Sequence, residues 1–307
     1  ISWLVRQIRA DNFATRALNL SETGAVPQDC NVLIVPGPRL PVPERHVAAL
    51  RRYVEGEGRL ILMVDSQLGN PEATTNLNAL LEDYGVVARQ EAMAMYRGEM
   101  MQLLRSGEIK PMALNLVPIT ANGYMPHEIT SDLQSMTLTL YGCAPLEIAS
   151  PQPRPGLAAR PLLTSVRTSW GETTRLAEME DSEFDADKDI EGPVVAGVLV
   201  APAMPPGMPP TAAPDDMPGP RVLVLGSSLS FANVMVEQSP ANLYLILNAV
   251  DWMAGKGFMV GIPPREPQDN AVPLSDTARR GALWIFLVFL PGCIIALGVA
   301  VWLVRRR

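Results

Sequence analysis

The sequence predicts an α/β domain with a mainly parallel sheet, followed by one C-terminal transmembrane helix. Three observations lead there. Short, continuous apolar runs alternate with helical patterns in the order strand, helix, strand, helix, as in parallel layered folds. The 307 residues are 48% hydrophobic and 19% charged, enough to bury a sizeable core and too apolar for disorder. Residues 281–304 carry no charge at all.

Taken in order, residues 1–10 place Ile1, Leu4, Val5 and Ile8 at helical spacing. This stretch reads as a helix already under way. With Ile1 at the start and no signal-peptide pattern, upstream sequence is expected, including a further span and a first strand. Phe13 to Leu20 reads as a short strand. Val32–Pro36 (VLIVP) has the unbroken apolar pattern of a strand buried on both faces, and Gly37-Pro38 ends it. A helix opens at Pro43-Glu44, carries Val47, Leu50 and Val54 on one face, and stops at Gly56 and Gly58. Arg59–Val64 (RLILMV) is a second buried strand, ending at Asp65. Thr75–Tyr84 reads as a helix closed by Gly85.

The middle is less regular. His127–Thr130 precedes a helix or turn, and Met136–Tyr141 alternates like a strand. Residues 145–161 hold five prolines and read as a loop, with short strands at Leu162–Ser165 and Arg175–Met179. Val194–Val200 is a clear strand. Residues 201–220 hold eight prolines and read as a linker, part of an irregular Pro-rich and acidic insertion over about 174–220. Val222–Leu225 is another buried strand, followed by Gly226-Ser227-Ser228. Asn242–Met253 is an apolar helix ended by Gly255. A domain over 1–275 and a juxtamembrane and membrane segment over 276–307 follow from this pattern.

The 24 residues of 281–304 would extend about 36 Å as a helix, enough for a hydrocarbon core of about 30 Å. Trp284 and Trp302 lie near the two ends, where indoles favour the interface. Pro291 in mid-span predicts a kink. The alternative, a buried core helix, would have to go this long without a charged residue. Arg305–Arg307 outnumber Arg279 and Arg280, which places the C-terminus in the cytoplasm and the bulk of the chain outside.

Several chemistries find no support. A net charge of −7 and a pI near 5.0 disfavour a nucleic-acid-binding face. Gly255-Lys256 lacks the upstream glycine of a phosphate loop, and Gly56 and Gly58 precede a strand, the wrong order for a dinucleotide fingerprint. Neither His46 nor His127 has a second histidine at metal-binding spacing. Three cysteines exclude a disulfide framework, although a Cys30–Cys143 bond stays open in an oxidising compartment. The acidic run 178–191 fails as a calcium loop, since Ile190 stands where glycine should and Ala196 where glutamate should. No metal or cofactor is expected. Gly226–Ser230 resembles a nucleophile elbow, but Ser230 replaces the closing glycine.

Residues 32–65 (VLIVPGPRLPVPERHVAALRRYVEGEGRLILMVD) resemble the strand, PGP, helix, glycines, strand, Asp signature of gliding-motility-type (GldG-like) auxiliary proteins of ABC transport systems. PLLTSVRTSWGE (161–172), DIEGPVVAGV (189–198), VLVLGSSLSFAN (222–233) and LILNAVDWMAGKG (245–257) resemble further blocks in the same order. So does the ending, a Pro-rich stalk and one span closed by arginines. The resemblance implies a class I glutamine-amidotransferase-like (flavodoxin- or Rossmann-like) domain without its catalytic residues. It also implies a place outside the cytoplasmic membrane, and partnership with an ABC permease and an ABC ATPase. The chain departs from the family where Ser227 or Ser228 stands in place of a frequent aspartate.

The leading expectation is a non-catalytic, membrane-anchored auxiliary subunit of such a system. Two rivals remain. One is a structural module that binds protein or glycan, with Trp170 as an exposed anchor. The other is a degenerate amidotransferase- or hydrolase-like enzyme, with Ser228 as nucleophile and His127 as base. Turns at the carboxyl ends of strands are the default binding place in such sheets, so Gly37, Asp65, Ser227 and Ser228 are candidate contacts, with Ser165 and Trp170 added from the TSW block. Homo- or hetero-oligomerisation stays open.

Overall fold

The structure is a computed structural model that describes residues 2–70, 74–98, 112–174, 183–203 and 219–255, with residues 291, 298, 301, 302, 305 and 306 beyond them. The chain divides into two units, Ile1–Gly257 and Phe258–Arg307.

Among the described residues of the first unit the strands are β1 (Val32–Pro36), β2 (Arg59–Met63), β3 (Val86–Ala88), β4 (Met93–Gly98), β5 (Met112–Leu114) and β6 (Leu116–Ile119). They continue with β7 (Leu138–Tyr141), β8 (Leu146–Ile148), β9 (Leu157–Thr164), β10 (Ser169–Glu172), β11 (Val195–Pro202) and β12 (Arg221–Leu225). The helices are α1 (Ser2–Ala10), α2 (Leu20–Thr23), α3 (Glu44–Glu55), α4 (Asn78–Leu81), α5 (Asn233–Gln238) and α6 (Pro240–Ala254). A seven-stranded sheet runs β1–β2–β12–β11–β8–β3, with β9 also on β11. Strands β10–β4–β5 and β6–β7 form two smaller sheets.

The central strands show why three layers form. Side chains alternate across a strand, and in β2 and β12 every position is apolar except Arg59 and Arg221 at their starts. Leu60, Leu62, Val222 and Val224 face a core with Val47, Leu50 and Val54 of α3 and Leu80 and Leu81 of α4. Ile61, Met63, Leu223 and Leu225 face a second core with Leu245, Ile246 and Met253 of α6 and Leu4 and Ile8 of α1. Helices therefore cover both faces of β2 and β12. Gly58 makes the tight return from α3 to β2, since a Cβ there would lie 2.3 Å from the Tyr53 carbonyl oxygen.

Several expectations change. The α/β class holds, but the sheet is mixed. Parallel pairing joins β1, β2 and β12, whereas β12–β11, β11–β9, β11–β8 and β8–β3 are antiparallel. Connections without a crossover helix return the chain antiparallel. Strand β8 lies in the proline-bearing stretch expected to be a loop, and β9 begins in it and ends on the strand expected at Leu162–Ser165. Their prolines fall at tolerated places: Pro145 precedes β8, Pro151, Pro153 and Pro155 lie between the strands, and Pro161 lies in the irregular register of β9 against β11. Phe13–Leu20 is not a strand. Phe13 packs on the α6 side and Leu20 on the α3 side, so this segment passes from one layer to the other without strand pairing. Strand β1 is half-buried rather than fully buried, because among the described residues it pairs only with β2.

The helix expected over 75–84 shortens to α4 and a 3-10 turn, Glu82–Tyr84, ended by Gly85 at φ +71°. Thr75 cannot join it, because its backbone N–H and hydroxyl both donate to Gln90 Oε1, at 2.9 and 3.0 Å. Strand β11 continues to Pro202, into the expected linker. The strand expected at 175–179 and residues 204–218 of the linker lie outside the described residues, as does the span over 281–304 apart from Pro291, Gly298, Val301 and Trp302. Among the described residues no helix is long and apolar enough to cross a membrane.

Leu62 is fully buried at the centre of the sheet. Leu62→Ala should lower unfolding stability by about 2–5 kcal/mol in a urea titration. A loss below about 1 kcal/mol would show that this side chain is not packed as described.

Candidate functional site

Parallel pairing places the carboxyl ends of β1, β2 and β12 side by side, so the residues that follow them meet. Gly37 follows β1 with φ +54°, and a Cβ on it would fall 2.2 Å from Ser228 Oγ and 2.5 Å from Asp65 Oδ2. Only glycine fits so close to that pair. Asp65 is 8% exposed. Its Oδ1 accepts from the Ser228 N–H at 2.5 Å and the Leu229 N–H at 3.4 Å, and its Oδ2 accepts from the Ser228 hydroxyl at 2.5 Å. Bonds to an ionised acceptor are the stronger kind.

Ser227 points elsewhere. Its hydroxyl donates to the Tyr141 carbonyl at 2.7 Å and lies 2.7 Å from Ser230 Oγ. Ser230 Oγ accepts from the Tyr141 N–H at 2.8 Å, and Asn242 Nδ2 donates to the Ser230 and Thr139 carbonyls, each at 2.8 Å. Serine at 230, the departure from the elbow pattern, is thus a structural bolt between the turn and β7. Ser227, Ser230 and Asn242 are fully buried with their polar groups bonded.

The position of Asp65 matters more than its chemistry. The chain leaves β1 and β2 toward α3 and α4 on one face, and leaves β12 toward α5 and α6 on the other. Ligands of open α/β sheets bind where connections diverge in this way. Here the Asp65 carboxylate bridges the divergence, from the end of β2 to the turn after β12.

The structure separates Ser228 from His127. His127 Nδ1 accepts from the Ile129 N–H at 3.2 Å, capping the 3-10 turn Glu128–Leu133. Its ring meets the Trp252 ring edge-on at 4.8 Å. Trp252 in turn lies under the Arg221 guanidinium, 4.4 Å from the ring centre, and its carbonyl accepts from Arg221 Nη1 at 3.1 Å. Arg221 begins β12 and Ser228 follows its end, so the expected nucleophile and base stand at opposite ends of a strand about 16 Å long. Distance along the sequence could not reveal this. The Ser228 hydroxyl is oriented by a carboxylate, not by an imidazole.

Ser165 and Trp170 form a separate group. Ser165 Oγ accepts from the Val194 N–H at 2.8 Å and is hydrogen-bonded to Ser169 Oγ. Trp170 is 3% exposed, and its Nε1 donates to Glu172 Oε2 at 3.1 Å; Glu172 Oε1 also accepts from the Thr174 N–H at 2.7 Å. An indole so buried is no exposed anchor. The TSWGE block is instead a buried carboxylate held by an indole and a backbone amide. Beside it is a pocket of about 380 Å³, onto which Arg97, Arg167, Glu183, Phe184 and Glu191 open. The sequence marks two of its parts, the 161–172 block and the acidic run 178–191, but gives no signal that they meet each other and Arg97.

Cys30 and Cys143 are free thiols, not a bonded pair. Burial pushes the Cys143 thiol far above its ordinary range, reinforced by the nearby Asp65 charge; burial also raises Cys30, if less far. In the acidic segment Asp189 accepts from the Thr173 N–H at 3.1 Å and the Asp185 N–H at 2.8 Å, and Asp185 pairs with Lys188 at 3.0 Å. Among the described residues no group of His, Cys, Asp and Glu could hold a metal ion.

These features define a three-layer α/β domain whose strand-end crevice is crossed by a carboxylate clamp. The chain belongs to the family described as an ABC-type uncharacterized transport system, auxiliary component, whose model matches residues 2–259. Among solved structures, the mmIFT52 N-terminal domain has a similar fold, with a TM-score of 0.50 and 16% identity, over 81% of this chain and 88% of that one. No curated protein matches the chain.

Asp65→Ala leaves the Ser228 and Leu229 amides without their acceptor and should cost about 1–3 kcal/mol in urea unfolding, more than Asp65→Asn, which keeps an oxygen. Equal stability of all three proteins would contradict the clamp. Alkylation followed by peptide mass mapping should label Cys30 slowly and Cys143 only after denaturation, since the thiolate is the reactive form. Rapid native labelling of Cys143 would refute its placement.

Proposed function

We propose that this chain is a GldG-like, gliding-motility-type auxiliary subunit of an ABC transport complex, anchored in the cytoplasmic membrane by residues 281–304. Residues 1–275 then form an extracytoplasmic docking domain without catalysis of its own, and the span packs against the permease that works with the ATPase. The match of residues 2–259 to the ABC-type auxiliary family carries this reading. The Asp65 clamp favours docking over catalysis, because it occupies the crevice where a reacting ligand would sit. Exposed apolar residues in the tail, Val301 at 56% and Trp302 at 54%, are consistent with a lipid-facing helix.

The docking face in this reading is the strand-end rim of Gly37, Asp65 and Ser228, with the buried Ser227 holding the turn beneath it. Two apolar side chains stand exposed close by in sequence, Leu40 at 72% and Leu229 at 41%.

Detergent extraction and affinity purification of the intact chain test the reading. An ABC permease and ATPase should co-purify, Leu229→Asp should reduce their yield without changing the melting temperature, and deletion of 281–304 should move the chain to the aqueous fraction. Purification free of both subunits would overturn the assignment, and an aqueous full-length chain would overturn the anchor.

A further inference from the structure

The pocket beside Trp170 lies outside the strand-end rim and is not used by the docking reading. Its volume of about 380 Å³ is at the small end of ligand sites. Its walls are fixed by packing. Trp170 is held through Glu172, and Gly192 admits no side chain, since a Cβ would fall 1.7 Å from the Ser169 carbonyl oxygen. Phe184, 42% exposed, adds an accessible ring at the same opening.

The charges around it are balanced. Arg97 pairs with Glu183 at 3.1 Å, and those two cancel. Arg167 and Glu191 both line the pocket, both are exposed, and among the described residues neither has an ion-pair partner. One uncommitted guanidinium and one uncommitted carboxylate remain, beside the accessible ring of Phe184. A simple anion would meet Glu191, a simple cation would meet Arg167, and an uncharged ligand would leave both charges partly desolvated and unpaired. A small ligand with a charge of each sign and an apolar body satisfies all three features.

We infer that this pocket binds a zwitterionic amino acid or dipeptide with an apolar side chain, its carboxylate on Arg167, its ammonium toward Glu191 and its side chain against the accessible ring of Phe184, with the buried Trp170 forming the floor behind it. Binding here does not depend on association with a transporter, so failure of one leaves the other standing.

Calorimetric titration of the intact chain in detergent, with L-alanyl-L-leucine, its N-acetyl amide and maltose, tests the inference. The free dipeptide should bind, and the capped peptide should bind at least about tenfold more weakly. Arg167→Gln and Glu191→Gln should each weaken the free dipeptide by about tenfold with an unchanged melting temperature. No heat with the free dipeptide, equal affinity for the capped one, preference for maltose, or unaltered binding by both variants would overturn it.

Discussion

Strand β2 is excluded from water on both faces, and the rest of the domain is arranged around that constraint. Leu60, Ile61, Leu62, Met63 and Val64 are each at most 1% exposed. A strand of this kind needs apolar cover above and below and a paired strand on either side. Strands β1 and β12 supply the pairing, α3 and α4 one cover, and α1 and α6 the other. Strands β2 and β12 stay paired to their ends, so once the connections after them lead to different faces, those connections must diverge. The crevice at Asp65 is a geometric consequence of burying β2.

Asp65 turns that crevice into a joint. The last side chain of the RLILMVD run is charged where the strand reaches the surface, and it spends both oxygens on the turn after β12. Gly37 completes the joint by being absent as a side chain. The same three residues would be legible as a ligand site by position alone. The hydrogen bonds brace two of the loops against each other, with Gly37 of the third packed close on the pair. A rigid rim is also what a docking surface requires, because a partner then has no loop to order on binding.

What could be read in the sequence follows from how local each signal is. Strands β1, β2, β11 and β12 and helices α3 and α6 are marked by apolar runs or by one-sided spacing, with glycines at their ends, and all fall close to where that pattern places them. The grouping of Gly37, Asp65 and Ser228 was legible too, because parallel strands put their ends together. Apart from β11 and the end of β9, the antiparallel half was not. Strands β8 and β9 carry prolines in or between them, and β10 has only four residues, SWGE, with a glycine and a glutamate among them. Strands β8 and β9 take their places by pairing with β11, and β10 by pairing with β4, each tens of residues away along the chain. The burial of Trp170 depends on Glu172 receiving its N–H, and the separation of His127 from Ser228 depends on the direction of α6 along the sheet. Neither is a property of spacing.

Amide hydrogen exchange at Ser228 and Leu229 measures the clamp directly in the native protein. Hydrogen bonds to a buried carboxylate at a rigid joint should slow both amides to nearly the rate of Leu223 and Val224 in β12, opening only with the sheet. Exchange of these two amides at the rate of an open loop, while β12 stays protected, would mean that the crevice is unbraced and free to receive a ligand, and the account of Asp65 as a closed joint would fall.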